Sequence, residues 1–229
     1  MAIVIGNKTG SQLNPSGSTQ TLSHNMSTGS DGALLICVTA NNSGGKQIGS
    51  CSYGGQVMST SSTLNANTFA QQQKYFILNN PPTGSNNIVV TYSGGSQFNK
   101  TSIFAVSLTG VASPASTTNG KLASNATPND LTATGIADNS YIFTSGIANV
   151  APVAYTINGV GNLPFQFNHN INKRVGGAEL LLTGPGTGFL TIGISTACSS
   201  GSLSNHYIEI LASGSTPPST NTGNFLLCM

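Results

Sequence analysis

Short apolar runs, each ended within a few residues by glycine, proline, asparagine or serine, recur along the whole chain. Runs of this kind that are rich in β-branched residues are typical of the strands of a sandwich or barrel, and no segment shows an apolar stripe at helical spacing. The predicted strands are residues 33–40, 48–53, 56–59, 74–78, 88–93, 101–108, 141–144, 153–157, 178–182, 189–194 and 206–211. So many strands can pair their edges only in stacked sheets or in a closed barrel. We therefore predict an all-β fold, a jelly-roll-like antiparallel β-sandwich with extended N- and C-terminal arms.

Three of these segments also predict local detail. Residues 33–40 are apolar at nearly every position, which suits a central strand. The glycines at 54 and 55 take positive φ easily, so a tight hairpin is expected there. Successive side chains of a strand point to opposite faces, and this rule is applied to the strand at 101–108. The two faces of that strand are predicted to carry Ile103, Ala105 and Ser107 on one side and Phe104, Val106 and Leu108 on the other.

The predicted organisation has three parts: an N-terminal arm at 1–19, a β-sandwich domain at 20–212 and a C-terminal arm at 213–229. The alternative is an immunoglobulin-like pair of smaller sandwiches divided near 113–127. Within the first arm, residues 1–5 predict a short apolar strand and residues 6–18 a flexible polar stretch.

Both ends of the chain are apolar, and ends of this kind normally fray unless something holds them. We predict that a neighbouring subunit holds at least one end by strand addition or by accepting it in a groove. The partner-binding residues would be Ile3, Val4 and Ile5 at one end and Phe225, Leu226 and Leu227 at the other. The alternative is that both ends fold back on their own domain.

The low charge narrows the classes of partner. Only 5% of the residues are charged, against roughly 25% in ordinary soluble domains. The net charge is +2 and the lysines are scattered, so nucleic acid is not an expected partner. A weakly charged surface repels neighbouring copies weakly, which favours dense packing in a lattice or coat.

No set of residues predicts catalysis, a metal site or a cofactor, and we expect that the protein is not an enzyme. The histidines His24, His169 and His206 lie far apart in sequence and are interpreted as exposed or hydrogen-bonded structural residues. A glycosidase would need two facing carboxylates, and a long-range pair such as Glu179 and Glu209 would supply them only if their strands were neighbours.

The sequence does not support two further types of site. Asp130 and Asp138 lack the dense loop spacing of a calcium site. The cysteines, Cys37, Cys51, Cys198 and Cys228, have no metal-ligand spacing and are interpreted as free thiols. A Cys37–Cys51 bridge between adjacent strands is the alternative.

The order of four motifs resembles a β-sandwich module of bacteriophage structural proteins and some bacterial surface proteins. The motifs are Ser-Tyr-Gly-Gly at 52–55, Leu-Asn-Asn-Pro-Pro-Thr-Gly at 78–84, Ala-Val-Ser-Leu-Thr-Gly-Val at 105–111 and Tyr-Ile-Glu-Ile-Leu-Ala at 207–212. The resemblance spans about 31–212 and is dense between 53 and 111, but the tryptophan often found in the late strand is absent. It implies a jelly-roll or related sandwich with a role in a phage head, tail or fibre, and no catalytic residues.

The function expected from this resemblance is a capsid decoration (cement) protein on the outer surface of a phage head. Its expected partners are the major capsid protein and copies of itself in a homotrimer, with no membrane contact. The start of the chain lacks a signal-peptide pattern, so synthesis in the host cytoplasm is expected. The alternative is a tail, fibre or surface adhesin whose loops at 41–45, 59–68 and 79–87 bind host glycans, with Tyr53 or Tyr92 as a stacking face.

Overall fold

The structure is a computed structural model of the chain. It describes residues 2–13, 17–26, 32–41, 46–66, 71–94, 100–112, 117–124, 131–134, 136–148, 155–157, 165–170, 173–181, 189–194 and 203–215.

The described segments form antiparallel strands. The first nine are β1 (Val4–Leu13), β2 (Thr19–Met26), β3 (Ala33–Asn41), β4 (Gln47–Tyr53), β5 (Gln56–Val57), β6 (Ser59–Ala66), β7 (Gln71–Asn79), β8 (Gly84–Ser93) and β9 (Lys100–Thr109). The others are β10 (Thr117–Ser124), β11 (Leu131–Thr134), β12 (Tyr141–Ala148), β13 (Tyr155–Ile157), β14 (Phe165–Asn170), β15 (Lys173–Leu181), β16 (Phe189–Ile194) and β17 (Leu203–Ile210).

These strands make four sheets. The central sheet has the order β1-β9-β3-β7-β6 and the front sheet the order β2-β8-β4-β5. The back sheet has the order β10-β17-β12-β15-β14, and a small sheet has the order β11-β16-β13. Strands up to Thr109 therefore build the front and central sheets, whereas strands from Thr117 build the other two.

The middle strands β3 and β9 of the central sheet are buried on both faces, because they carry apolar residues at successive positions. Alternate residues of β3, such as Leu34 and Ile36, pack against the front sheet. Their neighbours, such as Leu35 and Cys37, pack against Tyr141 and other residues of the back sheet. A strand buried on both faces reads as a continuous apolar run, which is why residues 33–40 do.

The prediction of an all-β antiparallel sandwich is confirmed, and so are several of its details. The two faces of β9 divide as expected, with Phe104 in the core on the back-sheet side and Ile103 in the core on the front-sheet side. Gly54 and Gly55 form the expected hairpin with φ values of 54° and 82°. The jelly-roll connectivity and the boundaries 1–19, 20–212 and 213–229 stay predictions.

The prediction of a flexible polar stretch at 6–18 is wrong for residues 6–13. These residues belong to β1, which pairs antiparallel with β9 from Val4↔Thr109 to Leu13↔Thr101. Residues 59–66, predicted as a loop, likewise form β6 and pair with β7. Both strands lie at the edges of the central sheet. Edge strands tolerate polar sequences because part of their surface meets water, and such sequences lack the apolar alternation that predicts a strand.

Within the described residues, the structure contains no helix long and apolar enough to cross a membrane.

Candidate functional site

The outer face of the front sheet is a described surface made of regular strands. Residues alternate along β2, with Gln20, His24 and Met26 buried and their neighbours exposed. The outward-facing residues are Thr19, Thr21, Ser23, Asn25, Ser50, Ser52, Ser85, Asn87, Val89, Thr91 and Ser93. None of these outward residues is charged, so this face presents hydroxyl groups, amides and one valine to its surroundings.

Several hydroxyl groups of this outer face bond to one another. The Ser23 and Ser85 hydroxyl oxygens lie 3.2 Å apart, and those of Ser50 and Thr91 lie 2.7 Å apart. The Ser50 backbone N–H also donates to the Thr91 hydroxyl at 3.0 Å. Side chains paired in this way lose little hydration when a second surface covers them, because their polar atoms keep partners.

The predicted N-terminal contact residues divide between the interior and the surface. Ile3 is 2% exposed and lies in the core between the central and back sheets, and Ile5 packs against that core. Val4 is 60% exposed. The partner-binding role predicted for these residues stays a prediction. Ile3 and Ile5 pack against the core of their own chain. The other predicted contacts, Phe225, Leu226 and Leu227, lie outside the described residues.

Gly110 makes room for the N-terminal segment. Its φ is +72°, and a Cβ atom built on it would lie 2.3 Å from the Ala2 carbonyl oxygen. Only glycine combines this backbone conformation with so close a neighbour. The glycine of the Gly-Val motif at 110–111 therefore leaves the space that the backbone of Ala2 occupies.

His24 joins the front sheet to two strands of the central sheet. One ring nitrogen, Nδ1, lies 2.9 Å from the Thr9 hydroxyl on β1, and Nε2 lies 2.8 Å from the Ser107 hydroxyl on β9. Burial lowers the pKa of His24 from 6.5, because the charged imidazolium would lose its hydration. For His24, the prediction of a hydrogen-bonded structural histidine is confirmed.

A second polar group lies between the central and back sheets. The Tyr75 hydroxyl donates to the His206 carbonyl at 2.7 Å, and it lies 2.8 Å from the Ser145 hydroxyl. Ser145 in turn donates to the Gln73 side-chain oxygen at 2.7 Å, and His206 Nε2 lies 2.7 Å from the Ser62 hydroxyl. His206 is thus also a hydrogen-bonded structural histidine, as predicted.

The pair Lys8 and Glu179 lies at the same interface and was missed by the sequence reasoning. The Lys8 Nζ on β1 contacts the Glu179 Oε1 on β15, and the Tyr141 hydroxyl donates to Oε2 at 2.8 Å. The Glu179 side chain is 3% exposed. In the sequence Lys8 was one of several scattered lysines, and its partner lies 171 residues away. No local pattern could have joined them.

Glu179 and Glu209 do not form the facing carboxylate pair of a glycosidase. They lie on the two strands that flank β12, opposite Phe143 and Ile142 respectively. Because successive residues of β12 point to opposite faces, the two carboxylates do as well. Glu209 Oε1 instead accepts the Ala137 backbone N–H at 2.8 Å.

Among the described residues, no three histidine, cysteine, aspartate or glutamate side chains converge as a metal site requires. Asp138 lies on the exposed side of a turn, whereas Asp130 and His169 are not described in side-chain detail. Cys37 and Cys51 are free and buried, so the prediction of thiols is confirmed for this pair. They lie in different cores, which excludes a bridge between them, and burial raises the pKa of each to about 12. Cys198 and Cys228 lie outside the described residues.

The predicted stacking face for sugars is wrong. Tyr53 is fully buried and its hydroxyl donates to the backbone carbonyls of His24 and Gly84. Tyr92 is 6% exposed and donates to Gln20 at 2.5 Å. Both rings face the core between the front and central sheets, because the alternation of β4 and β8 turns them inward.

No protein-family model matches the chain, and no curated protein matches it. Three titratable side chains form contacts between sheets: His24 joins the front and central sheets, and Lys8 and Glu179 join the central and back sheets. The arrangement joins layers to one another and leaves an uncharged face outside.

Proposed function

We propose that the protein is a virion structural protein of a bacteriophage, a capsid decoration (cement) protein that stabilises the head shell through contacts between subunits. The observation that carries the proposal is the uncharged outer face of the front sheet, supported by the resemblance of the motifs to phage structural modules. Its partners in this proposal are the major capsid protein and further copies of itself, arranged as a trimer on the outer surface of the head.

An uncharged face suits a protein that must be packed at high density. Burying a charged side chain at an interface requires an oppositely charged partner, because the ion otherwise loses its hydration. The outer face contains hydroxyl and amide groups, which need only hydrogen-bond partners or bridging water. Contacts of about 1,000 Å² or more hold specific complexes together. A broad neutral face can supply such a contact to several neighbours without electrostatic repulsion.

The layered interior supports the same role. Side chains from three sheets are joined by the hydrogen bonds of His24, Tyr75 and Ser145. A cement protein has to transmit load between capsomers without deforming. Interlayer bonds of this kind resist the sliding of one sheet over another.

A charge placed on the outer face tests the proposal. Thr21→Lys adds a lysine at an exposed position of β2, and Thr60→Lys adds one at an exposed position of β6 as the matched control. Phage particles stripped of the protein are incubated with each variant, and the bound copies are counted by quantitative gel analysis. We expect fewer bound copies of Thr21→Lys and wild-type binding of Thr60→Lys. Equal binding of all three proteins contradicts a contact through this face.

Heating the same particles tests the cement role itself. Particles that carry the wild-type protein should rupture at a higher temperature than stripped particles, because rupture must also break the added contacts. Identical rupture temperatures contradict a cement role even if the protein binds.

The second candidate is a tail, fibre or surface adhesin that binds host glycans through the same hydroxyl-rich face. Copy number separates the two roles, since head decoration requires many copies per particle and a tail position only a few. Binding of the purified protein to a glycan array, lost in Thr21→Lys, would favour the adhesin.

A further inference from the structure

The contact between Lys8 and Glu179 has three features that an ordinary surface ion pair lacks. The Glu179 side chain is 3% exposed, and the Lys8 side chain is 35% exposed. Ile5 and Leu181, which lie near them on the same strands, pack against the apolar core between the central and back sheets. The second carboxyl oxygen of Glu179 accepts a hydrogen bond from Tyr141, which is fully buried. An amine, a carboxyl group and a hydroxyl donor therefore meet at the edge of an apolar core.

We propose that the Lys8 amine and the Glu179 carboxyl group condense to an intramolecular isopeptide bond that joins strand β1 to the back sheet. The proton of the ammonium group first passes to Oε1 across the contact, which leaves a neutral amine and a carboxylic acid. Nζ then attacks Cδ, a proton moves from Nζ to the Oε1 hydroxyl, and the Cδ–Oε1 bond breaks. One amide and one water molecule are formed, and the step needs no oxidant, reductant or cofactor.

Tyr141 donates its hydrogen bond to Oε2 of Glu179, the carboxyl oxygen that becomes the carbonyl oxygen of the new amide. As Nζ attacks, negative charge develops on Oε2, where the Tyr141 hydroxyl already donates at 2.8 Å. A donor fixed in advance at the position of the developing charge is the principle of an oxyanion hole. Burial, together with the neighbouring Glu179, raises the pKa of Tyr141 well above its usual value, so the hydroxyl keeps its proton as a donor.

The fold also favours condensation over hydrolysis. The two reacting groups lie 171 residues apart in sequence but are held together by strands of two packed sheets. Well-oriented groups within one molecule reach effective molarities of about 10⁵ M or more, which far exceeds the concentration of water. The low water content around a 3% exposed carboxyl group acts in the same direction.

The intact mass of the full-length protein tests the proposal. We expect the wild-type mass to be lower than the sequence mass by one water molecule. Lys8→Arg preserves a cation beside Glu179 but has no amine to acylate, so its mass should equal its sequence mass. A wild-type protein of full mass, with folding verified by circular dichroism, overturns the proposal. So does a Lys8→Arg variant that also lacks one water molecule.

Peptide mapping identifies the two residues that the bond joins. Trypsin should fail to cleave after Lys8, and tandem mass spectrometry should show one branched peptide that contains Lys8 and Glu179. A water loss located at any other pair overturns the assignment.

Tyr141→Phe tests the role of the hydroxyl group by the rate of water loss in freshly synthesised protein. Removal of one oxyanion-hole donor lowers such rates about 100-fold or more. A merely structural tyrosine would change the stability without changing this rate. A rate equal to that of the wild type overturns the assigned role of Tyr141.

Discussion

The central and front sheets share one apolar interface, yet the central sheet is covered on both faces and the front sheet on only one. In β3 every residue from Ala33 to Ala40 is buried, whereas β2 and β8 alternate between buried and exposed positions. A polar side chain in the front sheet can turn to water. A polar side chain in the central sheet has to find its partner inside the protein or remain without one. The difference predicts where substitutions are tolerated.

The largest expected effect is a difference between two strands. Neighbouring residues of β3 are both buried, whereas neighbouring residues of β8 are alternately buried and exposed. Leu34→Ala and Leu35→Ala should each lower the free energy of unfolding by about 2–5 kcal/mol, because each leaves a cavity in a different core. In β8, Val90→Ala should cost about 2 kcal/mol and Val89→Ala within about 0.5 kcal/mol. Urea unfolding of the four variants measures these differences. A loss well below 2 kcal/mol for either β3 variant, or two equal losses in β8, would contradict the comparison between the sheets.

Tyr75 tests the polar contacts of the central sheet with the back sheet. Tyr75→Phe removes the hydroxyl that bonds the His206 carbonyl and contacts the Ser145 hydroxyl, so buried polar atoms lose a partner. Leaving such groups unpaired should cost about 1–3 kcal/mol. Thr91→Val on the front sheet is the comparison, because water can replace the lost bond there. A smaller loss for Tyr75→Phe than for Thr91→Val in chemical denaturation would contradict this account.

His24 makes the interface between the front and central sheets sensitive to pH. Its pKa is lowered from 6.5 in the folded protein, so below pH 6.5 the unfolded chain binds a proton that the folded protein does not. The contribution of His24 to stability is therefore complete above pH 6.5 and falls as the pH falls, with a slope of at most about 1.4 kcal/mol per pH unit. Denaturant unfolding at several pH values measures the slope for the wild type and for His24→Gln. The slope of the variant should be smaller, and an unchanged slope would show that His24 is not the titrating group.

The same contrast between the sheets explains how far the sequence predicted the fold. The apolar strands β3, β7 and β9 of the central sheet were predicted because burial on one or both faces leaves a periodic pattern. The part of β1 after Ile5 and all of β2 were missed, because β1 is polar at most of these positions and the polar side of β2 interrupts a short apolar pattern.

The candidate site was less predictable than the fold. The polar character of the surface follows from composition, and the structural role of His24 was foreseen. Its partner Ser107, however, lies 83 residues away, and the partner of Lys8 lies 171 residues away. Contacts of this kind depend on the order and register of the strands, which no local pattern contains.

Of these substitutions in the buried core, Thr39→Val should change the free energy of unfolding least, and it should stabilise the protein where the others destabilise it. Thr39 lies on β3, is 1% exposed, and its hydroxyl has no hydrogen-bond partner among the described residues. The folded protein therefore buries a hydroxyl group that is hydrated in the unfolded chain. Replacing it by a methyl group of similar shape should raise the free energy of unfolding by about 0.5–1 kcal/mol. Thr21→Val on the exposed face of β2 is the matched control and should change the stability by less than about 0.5 kcal/mol. If Thr39→Val destabilises the protein in urea unfolding, the Thr39 hydroxyl has a hydrogen-bond partner in solution, and its burial without a partner in the central sheet is contradicted.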